Sequence, residues 1–145
     1  MITQQNVMTS GKDILITQAD FDRLRGLVES PRYRATHFAL LMILKEELDR
    51  GRVVAADEVP NGVVTMHSRV RVRDLKADES ESYTLVYPDE ADINDGKLSV
   101  LAPLGIALLG TKVGQLIKFD APAGHRQLKV EEILYQPEAA GDFHL

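Results

Sequence analysis

The run Lys97-Leu-Ser-Val-Leu-Ala-Pro-Leu-Gly-Ile-Ala-Leu-Leu-Gly-Thr-Lys-Val-Gly-Gln115 constrains the fold more than any other part of the chain. It begins with a short apolar strand pattern, Leu98 to Leu101, and then meets Pro103 and Gly105. Proline cannot donate to a ladder and glycine admits turn dihedrals, so the strand must stop there. Ile106-Ala-Leu-Leu109 gives one short helical pattern, with Gly110 placed as the C′ residue that ends it. Gly114 marks a second turn, after which Leu116-Ile-Lys-Phe-Asp120 resumes a strand pattern. Strand, apolar knuckle, short helix and strand follow one another with almost no slack. Such a density of turn signals requires a specific backbone path, and the knuckle it builds is the first candidate for a binding surface.

Upstream, the pattern is helical. Residues 1–13, MITQQNVMTSGKD, are polar and aperiodic and read as a mobile arm. Ile14-Leu-Ile16 is an apolar lead-in to Thr17, which has the place of an N-cap, with Asp20 as the acidic member of a capping box. Phe21, Leu24, Leu27 and Val28 recur at helical spacing and predict a first helix ending near Glu29, because Ser30 precedes a proline. Thr36 is then expected to cap a second helix carrying Phe38, Leu41, Leu44 and Leu48, with Leu40 and Met42 on an adjoining stripe and Gly51 as its stop. The expectation is a short antiparallel helical hairpin, a short coiled coil, over residues 14–52. The wide apolar stripe of the second helix calls for cover beyond its partner.

From Val53 onward the pattern changes to strands. Val63 to Met66 is read as continuing into Ser68–Arg73, where Val70 and Val72 alternate with Arg69, Arg71 and Arg73. Alternation puts the arginines on one face, which is either a solvated face or a contact for an acidic surface. Ser82–Tyr87 is a second strand ended by Pro88, and Asp89 to Gly96 form an acidic loop. In the last strand, Arg126 to Tyr135, the core candidates are Leu128, Val130, Ile133 and Tyr135. The step from Val130 to Ile133 breaks alternation and predicts a bulge at Glu131-Glu132. The fold class expected is α+β: the hairpin, then a half-open antiparallel sheet over residues 53–145 with one short helix.

Composition narrows the chemistry. An excess of 22 acidic over 17 basic residues, net charge −5, argues against general nucleic-acid binding, which depends on neutralising phosphate. There is no cysteine, so thiolate metal sites and cysteine nucleophiles drop out. No apolar run has membrane-spanning length and the N-terminus shows no signal h-region, which reads as a cytoplasmic protein without a membrane partner. His37, His67, His125 and His144 have no metal-ligand spacing. Asp89, Glu90, Asp92 and Asp95 lack the glycine and the closing glutamate of a calcium loop. Nucleotide-binding glycine loops and a nucleophile elbow are missing too. The expectation is a protein that is not an enzyme and needs no cofactor or metal.

The stretch LSVLAPLGIALLGTKVGQLIKFDAPAG resembles the C-terminal domain of the Gre transcript-cleavage factors, the GreA/GreB family. That domain carries a Ser-Pro-Leu/Met knuckle, an Ala-Leu-Leu helix, a Val-Gly turn and a Pro-x-Gly turn in the same order. The segments VPNGVVTMHSRVRVRDL, TLVYPDEAD and YQPEAAGDFHL are similar to the Rnk type of that family, the regulators of nucleoside diphosphate kinase. The resemblance runs over residues 14–145 and implies that residues 53–145 are FKBP-like. It also implies docking at the rim of the secondary channel of core RNA polymerase, with the hairpin entering the channel. Ser99, Ala102 and Pro103 stand where the family has Ser-x-x-Ser-Pro, Leu101 stands where the cleavage factors are polar, and Leu104 completes the expected contact. Arg32, Tyr33 and Arg34 at the hairpin tip are a second expected contact.

The chain also departs from the family it resembles. The family's acidic pair at the tip, which helps hold a magnesium ion, is replaced by Glu29-Ser-Pro-Arg-Tyr-Arg-Ala-Thr36, one glutamate among arginines. The chain is therefore expected to be a polymerase-binding regulator that competes with Gre-type elongation factors without cleaving transcripts. It would meet nucleic acid only indirectly, inside the transcription complex. Two alternatives stand beside this: a Gre-like transcript-cleavage or elongation factor, and an interaction module that regulates nucleoside diphosphate kinase.

Overall fold

The computed structural model describes residues 14–121 and 124–142, so the arm read over residues 1–13 lies outside the described residues. Leu15–Thr17 form β1, and Thr17 Oγ1 accepts the amide of Asp20, capping α1 (Gln18–Glu29). Helix α1 buries Leu24 and Val28, one turn apart on the expected stripe. It ends at Ser30, whose extended backbone is what the following proline demands.

The link beyond Ser30 departs from the expected turn. Pro31–Thr36 form a further short helix, α2, with Pro31 in its first turn, where a missing N–H costs nothing. Thr36 Oγ1 donates to the Arg32 carbonyl instead of capping the next helix. The long third helix, α3 (Phe38–Arg50), therefore starts from His37, and the expected two-helix hairpin is a three-helix unit. Helix α3 buries Leu41, Leu44 and Leu48, together with Glu47, and Gly51 ends it in extended backbone. The chain then returns as β2 (Arg52–Val54), parallel to β1.

The remaining strands are β3 (Arg69–Asp74), β4 (Glu79–Val86), β5 (Lys97–Ser99), β6 (Leu116–Ala121) and β7 (Gly124–Tyr135). Between them lie helices α4 (Pro103–Leu108) and, after β7, α5 (Pro137–Ala140). Their order in the sheet is β5-β4-β3-β7-β6. The sheet is mixed, which corrects the expected all-antiparallel arrangement: β5 runs parallel to β4. The cause is the acidic loop, which folds into two short 3-10 turns, Pro88–Glu90 and Ile93–Asp95. Gly96, at φ 71°, then starts the chain back along the same direction.

The upstream strand is also shorter than expected. Val63 makes only an isolated bridge with Lys112, and His67 adopts a left-handed φ of 67°. The Ser68 amide turns back to the Thr65 carbonyl, so the ladder begins at Arg69. The predicted bulge is present. Arg71 pairs with Glu132 and Val72 with Val130, leaving Glu131 as the extra residue.

That bulge decides the fate of the arginine face. Glu131 receives Arg71 Nε at 3.2 Å and Arg73 Nε at 2.7 Å, while Glu132 takes Arg71 Nη2 at 2.6 Å. Hydrogen bonds from Arg73 and Ser80 hold the Glu131 carboxyl down at about 2. Arg73 also reaches Asp78, and Arg126 reaches Asp74 and Glu81. On the opposite face Val70, Val72, Leu85, Leu128 and Val130 form one core with Ile106 and Leu108 of α4 and with Leu41 and Leu44 of α3. The long third helix thus covers the sheet as well as its neighbour.

Gly110 closes this core. It lies after α4 at φ 82°, and a Cβ there would stand 2.2 Å from Ile14 Cγ2. Gly110→Ala is expected to cost at least about 2 kcal/mol from positive-φ strain and overpacking together. Urea unfolding checks this, and an unchanged midpoint would show that Ile14 does not seat against this turn.

Candidate docking site

The knuckle is built by three backbone events. The Val100 amide donates to the Val86 carbonyl at 2.9 Å, the last sheet bond on this edge of the chain. The Ala102 amide then turns back to the Ser99 carbonyl at 3.0 Å, and Ser99 Oγ accepts the Leu101 amide at 3.0 Å. Ala102 is the N-cap of α4, in extended backbone and without a side-chain cap, and Pro103 begins the helix. Gly105 is needed because a Cβ there would lie 2.0 Å from the Ser99 carbonyl oxygen. The helix therefore rests directly on the turn backbone and holds its shape.

Burial divides the residues expected in contact. Leu101 and Leu104 are 3% and 7% exposed and belong to the core. Ser99, Ala102 and Pro103 are half-buried and form the accessible crest. The tip residues sit on a separate element, α2, where Arg32 and Arg34 are exposed and Tyr33 is half-buried.

A polar cluster between the helices and the sheet escaped the sequence reading. The Asp20 carboxylate does not close a capping box. It is 4% exposed and accepts the Tyr87 hydroxyl at 2.8 Å. Burial pushes the Asp20 carboxyl above its ordinary value, partly countered by that hydrogen bond. Burial, followed by the negative charge of Asp20, pushes the Tyr87 hydroxyl up as well. The Arg23 guanidinium lies 3.6 Å over the Tyr87 ring, and the His67 ring packs 5.6 Å from it. His67 Nε2 is 3.0 Å from Glu90 Oε1. Burial alone would raise Glu90, but the His67 contact outweighs it and holds that carboxyl below its ordinary value. Asp20 and Tyr87 are far apart in sequence, so no local pattern announces the pair.

The C-terminal segment pins the loop before β3. Gln136 Nε2 donates to the carbonyls of Pro60 and Val63, and Thr65 Oγ1 donates to Glu138 Oε1 at 2.7 Å. A cavity of about 230 Å³ lies beside it, lined by Thr17, Gln18, Ala19, Ala55, Glu138 and Asp142 among others. Ligand pockets usually span about 300–1,000 Å³. Among the described residues no three His, Cys, Asp or Glu side chains are grouped to hold a metal ion. No described helix is long and apolar enough to cross a membrane.

Residues 59–135, which include the knuckle, match the family described as "Transcription elongation factor, GreA/GreB, C-term". Residues 12–54 match "Rnk N-terminus". The chain belongs to the GreA/GreB family. It is 44% identical over 133 residues to "Regulator of nucleoside diphosphate kinase" of Escherichia coli K12, covering 91% of this chain and 96% of that one. It is 28% identical over 134 residues to "Transcription elongation factor GreA" of Amoebophilus asiaticus, covering 92% and 82%. The solved structure of a "Prokaryotic transcription elongation factor GreA/GreB from Nitrosomonas europaea" superposes with a TM-score of 0.73 at 38% identity, over 85% of this chain and all of that one. The GreA/GreB match carries Tyr87 and His67 and the Rnk match carries Asp20 and Arg23, so the polar cluster joins the two matched segments.

The cluster sets a pH dependence. The Asp20 carboxyl is raised in the fold above its ordinary 3.8. Its contribution to stability is therefore present below that value and lost as the pH rises through the raised one. Removing the Tyr87 hydroxyl enlarges that loss, because a buried carboxylate then lacks its donor. Tyr87→Phe is expected to cost about 1–3 kcal/mol at pH ~8 and clearly less near pH ~3. Equal losses at both pH values in chemical unfolding would show that Asp20 is not the ionised partner.

Proposed function

We propose that this chain is a regulator of transcription that binds core RNA polymerase through the crest Ser99-Ala102-Pro103 and occupies the rim of the secondary channel. It excludes Gre-type elongation factors by mass action and cleaves no transcript. The observation that carries the reading is the knuckle itself: a tight turn, fixed by Gly105, that presents the Ser99, Ala102 and Pro103 crest from within the segment matched to the GreA/GreB C-terminal family. Leu101 and Leu104 support this crest from beneath. In this reading residues 53–145 are the FKBP-like docking unit, residues 14–52 the helical unit, the location is cytoplasmic, and contact with nucleic acid is only indirect.

The absence of cleavage is inferred from the tip. Divalent magnesium takes carboxylate oxygens, whereas the residues presented by α2 are Arg32, Tyr33 and Arg34. A second reading has one observation in its favour, the name of the 44% identical relative, "Regulator of nucleoside diphosphate kinase". It requires a direct complex with that kinase and no displacement by a Gre factor.

Leu101 is buried, so a charge there would test folding rather than docking. Ala102 is the better position, because it is only half-buried and aspartate is a favoured N-cap, so the cap offsets the cost of a charge on the crest. Ala102→Asp is expected to weaken binding to core RNA polymerase about tenfold or more, a change of roughly 1.4 kcal/mol, at an unchanged melting temperature. Direct binding with a Gre factor as competitor checks both parts. Binding that neither the variant nor the competitor alters would remove the crest from the interface.

A further inference from the structure

Residues 30–45 contain no aspartate or glutamate, in a chain whose net charge is −5. Within this stretch the cations and rings of residues 32–38 fall into two adjoining sets, Arg32-Tyr33-His37 and Arg34-Phe38. The Arg32 guanidinium lies 5.3 Å over the Tyr33 ring and the Arg34 guanidinium 5.6 Å over the Phe38 ring. Tyr33 meets His37 edge-on at 6.0 Å. Phe38 is 53% exposed, although it opens a helix whose other large apolar side chains are buried or half-buried. Among the described residues neither Arg32 nor Arg34 forms an ion pair, whereas Arg71 and Arg73 on the sheet are fully engaged with carboxylates.

The arrangement is also held in place. Arg34 donates to the Val28 carbonyl, and Thr36 Oγ1 both donates to the Arg32 carbonyl and meets His37 Nδ1 at 2.7 Å. Arginines laid over aromatic rings lose less freedom on binding than extended ones, so the patch is pre-organised. An arginine fork matches carboxylate geometry, and the exposed Phe38 ring beside the Arg34 fork supplies the apolar anchor that protein interfaces favour.

We infer that the α2 tip, Arg32, Tyr33, Arg34 and Phe38, is a docking surface for an acidic protein segment that carries a large apolar side chain. The carboxylates of the partner pair with the two guanidinium groups, and its apolar residue covers Phe38. A protein partner is favoured because the exposed Phe38 ring calls for an apolar side chain to cover it, as at protein interfaces. The surface extends the polymerase-docking reading to a second element. It stands without that reading, because its test contains no polymerase.

Full-length protein is titrated with a fluorescent peptide rich in Asp and Glu around one Leu-Phe pair. The comparators are the same peptide with Gln and Asn for the acids, and a single-stranded RNA oligonucleotide of equal charge. The acidic peptide is expected to bind best and to weaken as salt is raised. The combined variant Arg32→Glu with Phe38→Ser is expected to bind it at least about tenfold more weakly. Both side chains are exposed, so the variant should keep the parent circular dichroism and melting temperature. Arg34→Gln is measured separately because Arg34 also holds the end of α1. Equal binding of the neutral peptide, preference for the RNA, or unchanged affinity in the folded double variant would each overturn the assignment.

Discussion

The close approach of Ile14 to the turn after α4 is the contact on which the rest of the structure depends. Ile14 immediately precedes β1, and Gly110 ends the helix that begins at the knuckle. Their contact leaves no room for a Cβ. On the same side Gly51, which ends α3, approaches Ile14 Cγ1, so one side chain is clasped by two chain reversals. Interiors are packed as densely as organic crystals, so such a contact transmits position rather than absorbing it. The knuckle, the start of α1 and the end of α3 are therefore positioned together.

Apolar packing alone would leave the rotation of α1 over the sheet loosely defined. The Asp20–Tyr87 bond, with Arg23 over the ring and His67 beside it, adds a directional constraint. A buried carboxylate is costly unless it is hydrogen-bonded, so a misplaced α1 is penalised more steeply than a misplaced apolar face would be. The left-handed backbone of His67 brings that ring to Tyr87 and is a local strain sustained by the surrounding contacts.

The same residue type has opposite fates on the two parts of the molecule. Arg71 and Arg73 on β3 meet Glu131, Glu132 and Asp78, and their charge is spent within the sheet. Arginines on α2 meet aromatic rings and a backbone carbonyl, which leaves their charge directed outward. A count of basic residues cannot separate the two cases; the bulge at Glu131 does, because it adds one more side chain to the ladder opposite the arginines.

Much of this was legible in the chain because it depends on local chemistry. The cap at Thr17, the stop before Pro31, the C′ role of Gly110 and the bulge at Glu131 each depend on a few neighbouring residues and their backbone preferences. The knuckle was locatable for the same reason, as Pro103 and Gly105 permit few backbone paths. What tertiary structure decided is which groups meet across long separations. It turned Leu101 and Leu104 inward, took the Asp20 carboxylate from its helix cap to Tyr87, made β5 parallel to β4, and paired Arg71 and Arg73 with the last strand. Periodicity specifies which face of an element is apolar, but not which polar group stands opposite it. That choice rests on the summed packing of the whole core, which no short stretch of the sequence contains.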